Sequence, residues 1–161
     1  MKKPYRILCV CMGNVCRSPT AEAVIRRMVN DKGWGSAVEV ASAGTHGHRV
    51  GEASDPQAQR VAMRRGYDLS QILAEKIGWQ DLDYFDLILA MDKSNLYKLR
   101  RMATEAQQEK IRLLMDYATG YSESEVPDPY TTLGGRFEYV LDMIEDAANG
   151  LVGQLEAHRK G

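Results

Sequence analysis

The sequence predicts an α/β fold, a three-layer sandwich in which a four-stranded parallel sheet carries helices on both faces. Two observations lead there. Short, nearly continuous apolar runs alternate with segments of helical periodicity from one end of the chain to the other, and strands of that kind belong to parallel sheets covered on both sides. The length, 161 residues, suffices to bury a core without disulfide or metal staples. No internal repeat or low-complexity tract interrupts it, so one domain over residues 1–161 is expected.

Tyr5 to Val10 reads as a buried strand. Pro19 to Lys32 reads as a helix, because Ala21, Val24, Ile25, Met28 and Val29 recur at the spacing of one helical face. Ser18 and Pro19 suit its N-cap and first turn, and Gly33 its end. Val38 to Ala43 is a second strand. Asp55-Pro56 opens a second helix that turns Ala58, Val61 and Ala62 inward, and Gly66 closes it. Ser70 to Tyr84 has no clear period and leaves room for a short helix. Leu87 to Met91 is a third strand; Asp92 then caps a helix with Leu96, Leu99 and Met102 on one stripe. Ile111 to Met115 is the fourth strand. Tyr117 to Gly135 is a long polar connection of the kind that often carries function. Phe137, Val140, Leu141, Ile144, Leu151, Val152 and Leu155 give a last helix its apolar face.

Composition narrows the function classes. A formal net charge of −1 gives no general attraction to nucleic acid or anionic membrane. No apolar run approaches the roughly 18 residues of a membrane span, and the short stretch from Ile7 to Met12 is no signal-peptide core. A cytoplasmic protein, in simplest form a monomer, is expected. All three cysteines, Cys9, Cys11 and Cys16, fall within one short segment, a poor disulfide framework that points to thiol chemistry or a metal. His46, His48 and His158 show no ligand spacing with them, so no metal and no cofactor is expected.

In open parallel sheets ligands bind beyond the carboxyl ends of the strands, at a topological switch point. The loop after the first strand is Cys11-Met12-Gly13-Asn14-Val15-Cys16-Arg17-Ser18. Backbone N–H groups at a helix N-terminus point at a bound anion, and the helix dipole adds to the attraction. Gly13 lets the backbone curl, and Asn14 tolerates the left-handed conformation that a curl demands. Arg17 offers a planar fork for two phosphate oxygens. The same field favours a thiolate at Cys11, aimed at the phosphorus. Ser18 can donate a hydrogen bond to that sulfur when it departs.

Cys-x5-Arg-Ser is the phosphate loop of cysteine-dependent phosphatases. The run from Val10 to Ala23 closely resembles the low-molecular-weight protein tyrosine phosphatases, as do Ser42-Ala43-Gly44-Thr45, the stretch from Ala90 to Leu96, and Asp128-Pro129-Tyr130. The resemblance spans nearly the whole chain. It implies a flavodoxin-like sheet and hydrolysis of phosphotyrosine in proteins, and of small aryl phosphates, through a phosphocysteine on Cys11. Asp128 matches the general acid, which protonates a leaving phenol whose pKa is near 10. Tyr130 matches an aromatic wall against the substrate ring. Met12, Gly13, Val15, Cys16 and His48 fall at substrate-binding positions with Asn14 and Ser18, while Asn14 and Ser42 also match residues that hold the loop, and Asp92 one that orients Arg17.

The sequence departs from the family's pattern at Thr131 and Thr132, where many members carry a second aromatic, and at Gln71, which stands near the place of a histidine. Cys16 stands open between a small core residue and a partner for Cys11 in a reversible disulfide under oxidant. Core packing is expected of Cys9. Four other functions compete with this one. A nucleotide P-loop lacks its second Gly and its Lys here. Arsenate reductases of this fold use cysteines far along the chain, and none follows Cys16. Protein-arginine phosphatases of the family tend to carry threonine where this chain has Val15, a residue better suited to an aryl phosphate. A non-catalytic phosphoprotein-binding module is the alternative outside enzymology.

Overall fold

Apolar side chains at alternate positions of β1 (Tyr5–Cys11) point to opposite faces, and both faces are buried. The computed structural model describes residues 3–130 and 136–160. In it β1 pairs in parallel with β2 (Val38–Gly44) on one side and β3 (Leu87–Ala90) on the other. β4 (Ile111–Leu113) follows β3, giving the order β2-β1-β3-β4. Chain direction across the sheet reverses between β1 and β3. The carboxyl end of β1 is therefore the switch point where such sheets bind ligands.

Ile7, Cys9 and Cys11 of β1 join Val38, Val40, Leu87 and Leu89 in a core with the helices α1 (Arg17–Asp31), α2 (Pro56–Arg64) and α5 (Phe137–Lys160). Leu8 and Val10 join Ile88, Ala90, Ile111 and Leu113 against α3 (Asp81–Tyr84) and α4 (Lys93–Met102) on the other face. Helices thus cover both faces, as near-continuous apolar strands require. α2 is tied to α5 by Arg65, whose guanidinium reaches Glu138, Asp142 and Glu145, one helical turn apart on α5. Among the described residues, no helix is long and apolar enough to cross a membrane.

Several boundaries depart from the periodicity. α1 starts at Arg17 and has Cys16, not Ser18, at its N-cap position, without a side-chain cap; the Ser18 hydroxyl is drawn to Cys11 instead. β4 stops at Leu113 because Leu114–Tyr117 tightens into a 3-10 turn that buries Leu114 and Met115. A further 3-10 turn, Glu105–Lys110, follows Thr104, whose N–H donates to Gln107 Oε1 at 2.9 Å. Asp55 and Asp92 cap α2 and α4 as expected, the latter in a reciprocal box with Asn95. Of the long connection expected from Tyr117 to Gly135, residues 131–135, with Thr131 and Thr132, lie outside the described residues.

The close fit of α5 to the turn before it yields a paired test. A Cβ on Gly150 would stand 1.8 Å from the Tyr117 carbonyl oxygen, whereas one on Gly153 would meet nothing within 4 Å. Gly150→Ala is expected to destabilise by roughly 1–3 kcal/mol through overpacking. Gly153→Ala should stabilise by roughly 0.5–1 kcal/mol, because alanine loses less backbone entropy in a helix. Urea unfolding of the two variants checks both signs.

Candidate active site

Between Cys11 and α1 the chain curls, and the curl is fixed at Asn14, whose φ of 58° is the one positive value among described non-glycine residues. The Asn14 side chain is buried and its hydrogen-bonding capacity is used in three directions. Nδ2 donates to Ser18 Oγ at 2.8 Å and to Ser42 Oγ at 2.9 Å, while Oδ1 accepts from the Glu75 backbone at 2.9 Å. These contacts orient the two hydroxyls. With its oxygen taken by Asn14, Ser42 turns its proton to Glu22 Oε1 at 2.6 Å. Ser18, occupied in the same way, has its proton free for Cys11 Sγ at 3.0 Å. The Asn14 backbone N–H adds a second donor to that sulfur at 3.3 Å.

The neighbouring strand end and loops complete the cup. Thr45 N–H donates to the Cys11 carbonyl and His46 N–H to that of Met12, so β2 continues to track the loop beyond the sheet. Gly44 is required for this approach, since a Cβ there would stand 2.7 Å from the Met12 carbonyl oxygen. Asp55 N–H holds the Val15 carbonyl at 2.7 Å.

Arg17 is buried beneath the cavity wall. Its Nη1 donates to Asp92 Oδ2 at 2.7 Å and to the Val126 carbonyl at 3.1 Å. Burial opposes the guanidinium charge, but Cys11, Asp92 and Asp128 outweigh it and hold the group above its ordinary pKa. Among the described residues nothing accepts a hydrogen bond from Nε or Nη2, and the side chain lines the cavity. Half of the fork is therefore available to an anion. Val126 is used twice, for its N–H also donates to the Met91 carbonyl at the end of β3. This pins the start of the segment that brings Asp128 to the site.

Cys11, Met12, Gly13, Val15, Cys16 and Arg17 meet His48, Arg49, Asp128 and Tyr130 around a cavity of about 80 Å³. Asp128 Oδ1 accepts from the Tyr130 backbone at 3.0 Å, a local turn that fixes the carboxylate. The Tyr130 phenol donates to Asp55 Oδ1, and its ring stands edge-on to Phe137. Burial and that hydrogen bond push the phenol's pKa up, so it stays protonated and keeps donating.

Of the residues expected at the site, Cys11, Met12, Gly13, Val15, Cys16, Arg17, His48, Asp128 and Tyr130 line this cavity, while Asn14, Ser18, Ser42 and Asp92 are hydrogen-bonded around the loop that forms it. The Asn14 side chain bonds to Ser18 and Ser42, and the Ser18 hydroxyl also reaches the Cys11 sulfur. Ser42 accepts a hydrogen bond from Asn14, and Asp92 accepts one from Arg17. Cys16 lines the wall as a free thiol whose pKa burial pushes up, with Cys11, Asp55 and Asp128 adding to the rise. Cys9 is buried in the core, and burial pushes its thiol up too.

Three contributors had gone unnoticed. Glu22 is a charged helical residue, yet it is buried and carries the Asn14 network on to Arg26. Its place one turn after Ser18 was the available signal. Asp55 reads as a helix cap, but also clasps Val15 and Tyr130. Arg49 follows His48 at the mouth. Among the described residues, no cluster of three or more His, Cys, Asp or Glu could hold a metal ion.

Comparison with known proteins covers nearly the whole chain. Residues 6–160 match the family model described as low molecular weight phosphotyrosine protein phosphatase. A low molecular weight protein-tyrosine-phosphatase of Streptomyces coelicolor is 43% identical over 162 residues, covering 98% of this chain and 97% of that one. The crystal structure of YfkJ from Bacillus subtilis superposes with a TM-score of 0.92 at 36% identity, over 98% of each chain. That of DARP, a Drosophila arginine phosphatase, gives 0.85 at 32% identity, over 92% of this chain and 96% of its own. With a match along almost all of its length, and with the curl, the arginine and the acid loop in one cavity, the chain belongs to the low molecular weight phosphotyrosine protein phosphatase family.

Proposed function

We propose that this protein hydrolyses phosphotyrosine in proteins, and small aryl phosphates, through a phosphocysteine on Cys11. One observation carries the reading. The Cys11 sulfur receives donors from Ser18 and the Asn14 backbone and shares a small cavity with a charged Arg17 and Asp128. A phosphate dianion fits such a cup: the amides at the start of α1 and the open half of the Arg17 fork hold its oxygens.

In the first step the Cys11 thiolate attacks phosphorus as the P–O bond to the phenol breaks. Asp128 gives its proton to the departing oxygen, so that a neutral phenol leaves. In the second step Asp128, now a carboxylate, takes a proton from water. The water oxygen forms the new P–O bond, the P–S bond breaks, and Ser18 donates to the sulfur as it regains its charge. Arg17 follows the equatorial oxygens through both transition states, an electrostatic contribution made larger by burial. Asp92 and the Val126 carbonyl position that fork rather than touch the substrate.

Val15 in the wall favours an aryl group over a polar guanidinium, and Tyr130 offers the ring an aromatic face. Phosphotyrosine is therefore preferred to phosphoarginine, the substrate class that the name of the Drosophila relative states for that protein. The mechanism draws its positive charge from Arg17 and backbone amides, and asks for no metal or cofactor. A reduced nucleophile suits a cytoplasmic setting.

Turnover of p-nitrophenyl phosphate with a chelator present is expected for the wild type and absent in Cys11→Ser. Asp128→Asn should lower kcat by about 10²–10³ on phenyl phosphate, and by much less on aryl phosphates whose phenols leave without a proton. An equal loss on both would contradict the acid role, and faster hydrolysis of phosphoarginine than of phosphotyrosine would overturn the substrate.

Asp92 offers a second test, because it both caps α4 and holds Arg17. Asp92→Asn retains a capping acceptor but loses the charge, whereas Asp92→Ala loses both. Both variants should lose about tenfold or more in kcat/KM. Only the alanine variant should also lose the roughly 1 kcal/mol of a helix cap, read by thermal unfolding.

A further inference from the structure

The mouth of the cavity is electrically lopsided. On one side stand Asp128 and Asp55, with Tyr130 clasped between them. On the other the β2–α2 loop brings His46, His48 and Arg49, with His48 and Arg49 at the cavity itself. Both of those side chains lie over Gly13, about 3.6 Å from where its Cβ would be. Two lysines from distant segments converge on this loop. The Lys76 stem lies against Gly47, 3.1 Å from the ideal Cβ position. Lys98, on α4, places Nζ 2.8 Å from His46 Nε2.

The last contact defines the charge state. His46 Nε2 accepts from the Lys98 ammonium, so Nδ1 carries the ring proton and donates to Thr45 Oγ1 at 2.9 Å. Burial, and then Lys98, His48 and Lys76, lower the His46 pKa below its ordinary 6.5, which keeps the imidazole neutral. The result is a shelf whose fixed cations are Arg49, Lys76 and Lys98. Arg49 is partly neutralised by Glu52 at 3.2 Å. Among the described residues, no ion pair engages Lys76 or Lys98, and both are exposed. Two unneutralised ammonium groups beside a phosphate cup exceed what holding one phosphate requires.

We propose that this shelf recognises aspartate and glutamate side chains flanking the phosphotyrosine, so that the preferred substrates are acidic phosphotyrosine sequences. The proposal rests on the phosphatase reading above and narrows its substrate class. An extended peptide advances about 3.3 Å per residue, so carboxylates two to four residues from the phosphotyrosine reach beyond His48 and Arg49 to the lysines. The Asp128–Asp55 side repels the same groups and so sets the direction in which an acidic flank lies.

The test compares three phosphotyrosine peptides, with Asp/Glu, Ala or Lys flanks, on wild type and on the Lys76→Gln/Lys98→Gln double variant. The readouts are kcat/KM and, independently of turnover, fluorescence-anisotropy affinity on the same two proteins carrying Cys11→Ser. Wild type should favour the acidic over the alanine peptide about tenfold at low salt, the size expected of two exposed ion pairs. High salt should erase most of that margin. The double variant should lose the margin while keeping wild-type turnover of p-nitrophenyl phosphate. Equal binding of acidic and lysine peptides, or a preference that survives in the double variant, would overturn the proposal. Failure of wild type to turn over p-nitrophenyl phosphate would instead refute the phosphatase reading, with the anisotropy series still deciding for or against the shelf. By NMR titration, Lys98→Gln should raise the His46 pKa toward 6.5; an unchanged value would contradict the contact on which the shelf is built.

Discussion

A single buried side chain, that of Asn14, holds the loop from Cys11 to Arg17 in its curl. Its backbone occupies the left-handed region at φ 58°, a conformation that most residues avoid and asparagine tolerates. Its amide joins three pieces of chain: Ser18 at the start of α1, Ser42 near the end of β2, and the backbone of Glu75. Buried polar groups are costly when unpaired, so each of these bonds constrains the others. Donor counting then dictates that Ser18 presents its proton to sulfur. The direction of one amide thereby reaches the proposed nucleophile through a single hydroxyl.

A second buried constraint works from the opposite side. Arg17 is charged in the protein interior because Cys11, Asp92 and Asp128 surround it. Asp92 caps α4, and the Val126 carbonyl comes from the segment leading to Asp128. The guanidinium is thus clamped between the ends of β3 and the acid loop, with half of its fork left over. Asp55 clasps the same loop from α2, through Tyr130, and holds Val15 through its backbone. Four elements that share little sequence proximity therefore register against one cavity at the sheet's switch point.

Much of this was legible in the residues. The strands and helices followed from apolar period because helices bury both faces of the sheet, so packing and pattern agree. The phosphate loop was readable because glycine, asparagine, arginine and a helix start each answer a separate demand of an anion. The missing parts have physical reasons. Ser18 looks like a helix cap by residue type, yet the stronger claim on its hydroxyl comes from sulfur seven residues earlier. Glu22 has only its place one turn after Ser18 as a mark in the sequence, since its partner Ser42 lies on β2, far along the chain. The convergence of Lys76 and Lys98 on the β2–α2 loop depends on tertiary placement alone, and isolated surface lysines carry no such signal in a sequence.

The account depends on sulfur becoming the temporary home of the phosphoryl group. Rapid acid quench of wild-type protein turning over radiolabelled phosphotyrosine peptide, followed by digestion and peptide mapping, reads this directly. Label on the peptide that contains Cys11, chased away on dilution into unlabelled substrate, is the predicted result. Sustained turnover with label on another residue, or inversion of configuration at an isotopically chiral phosphorus, the mark of a single displacement by water, would contradict it.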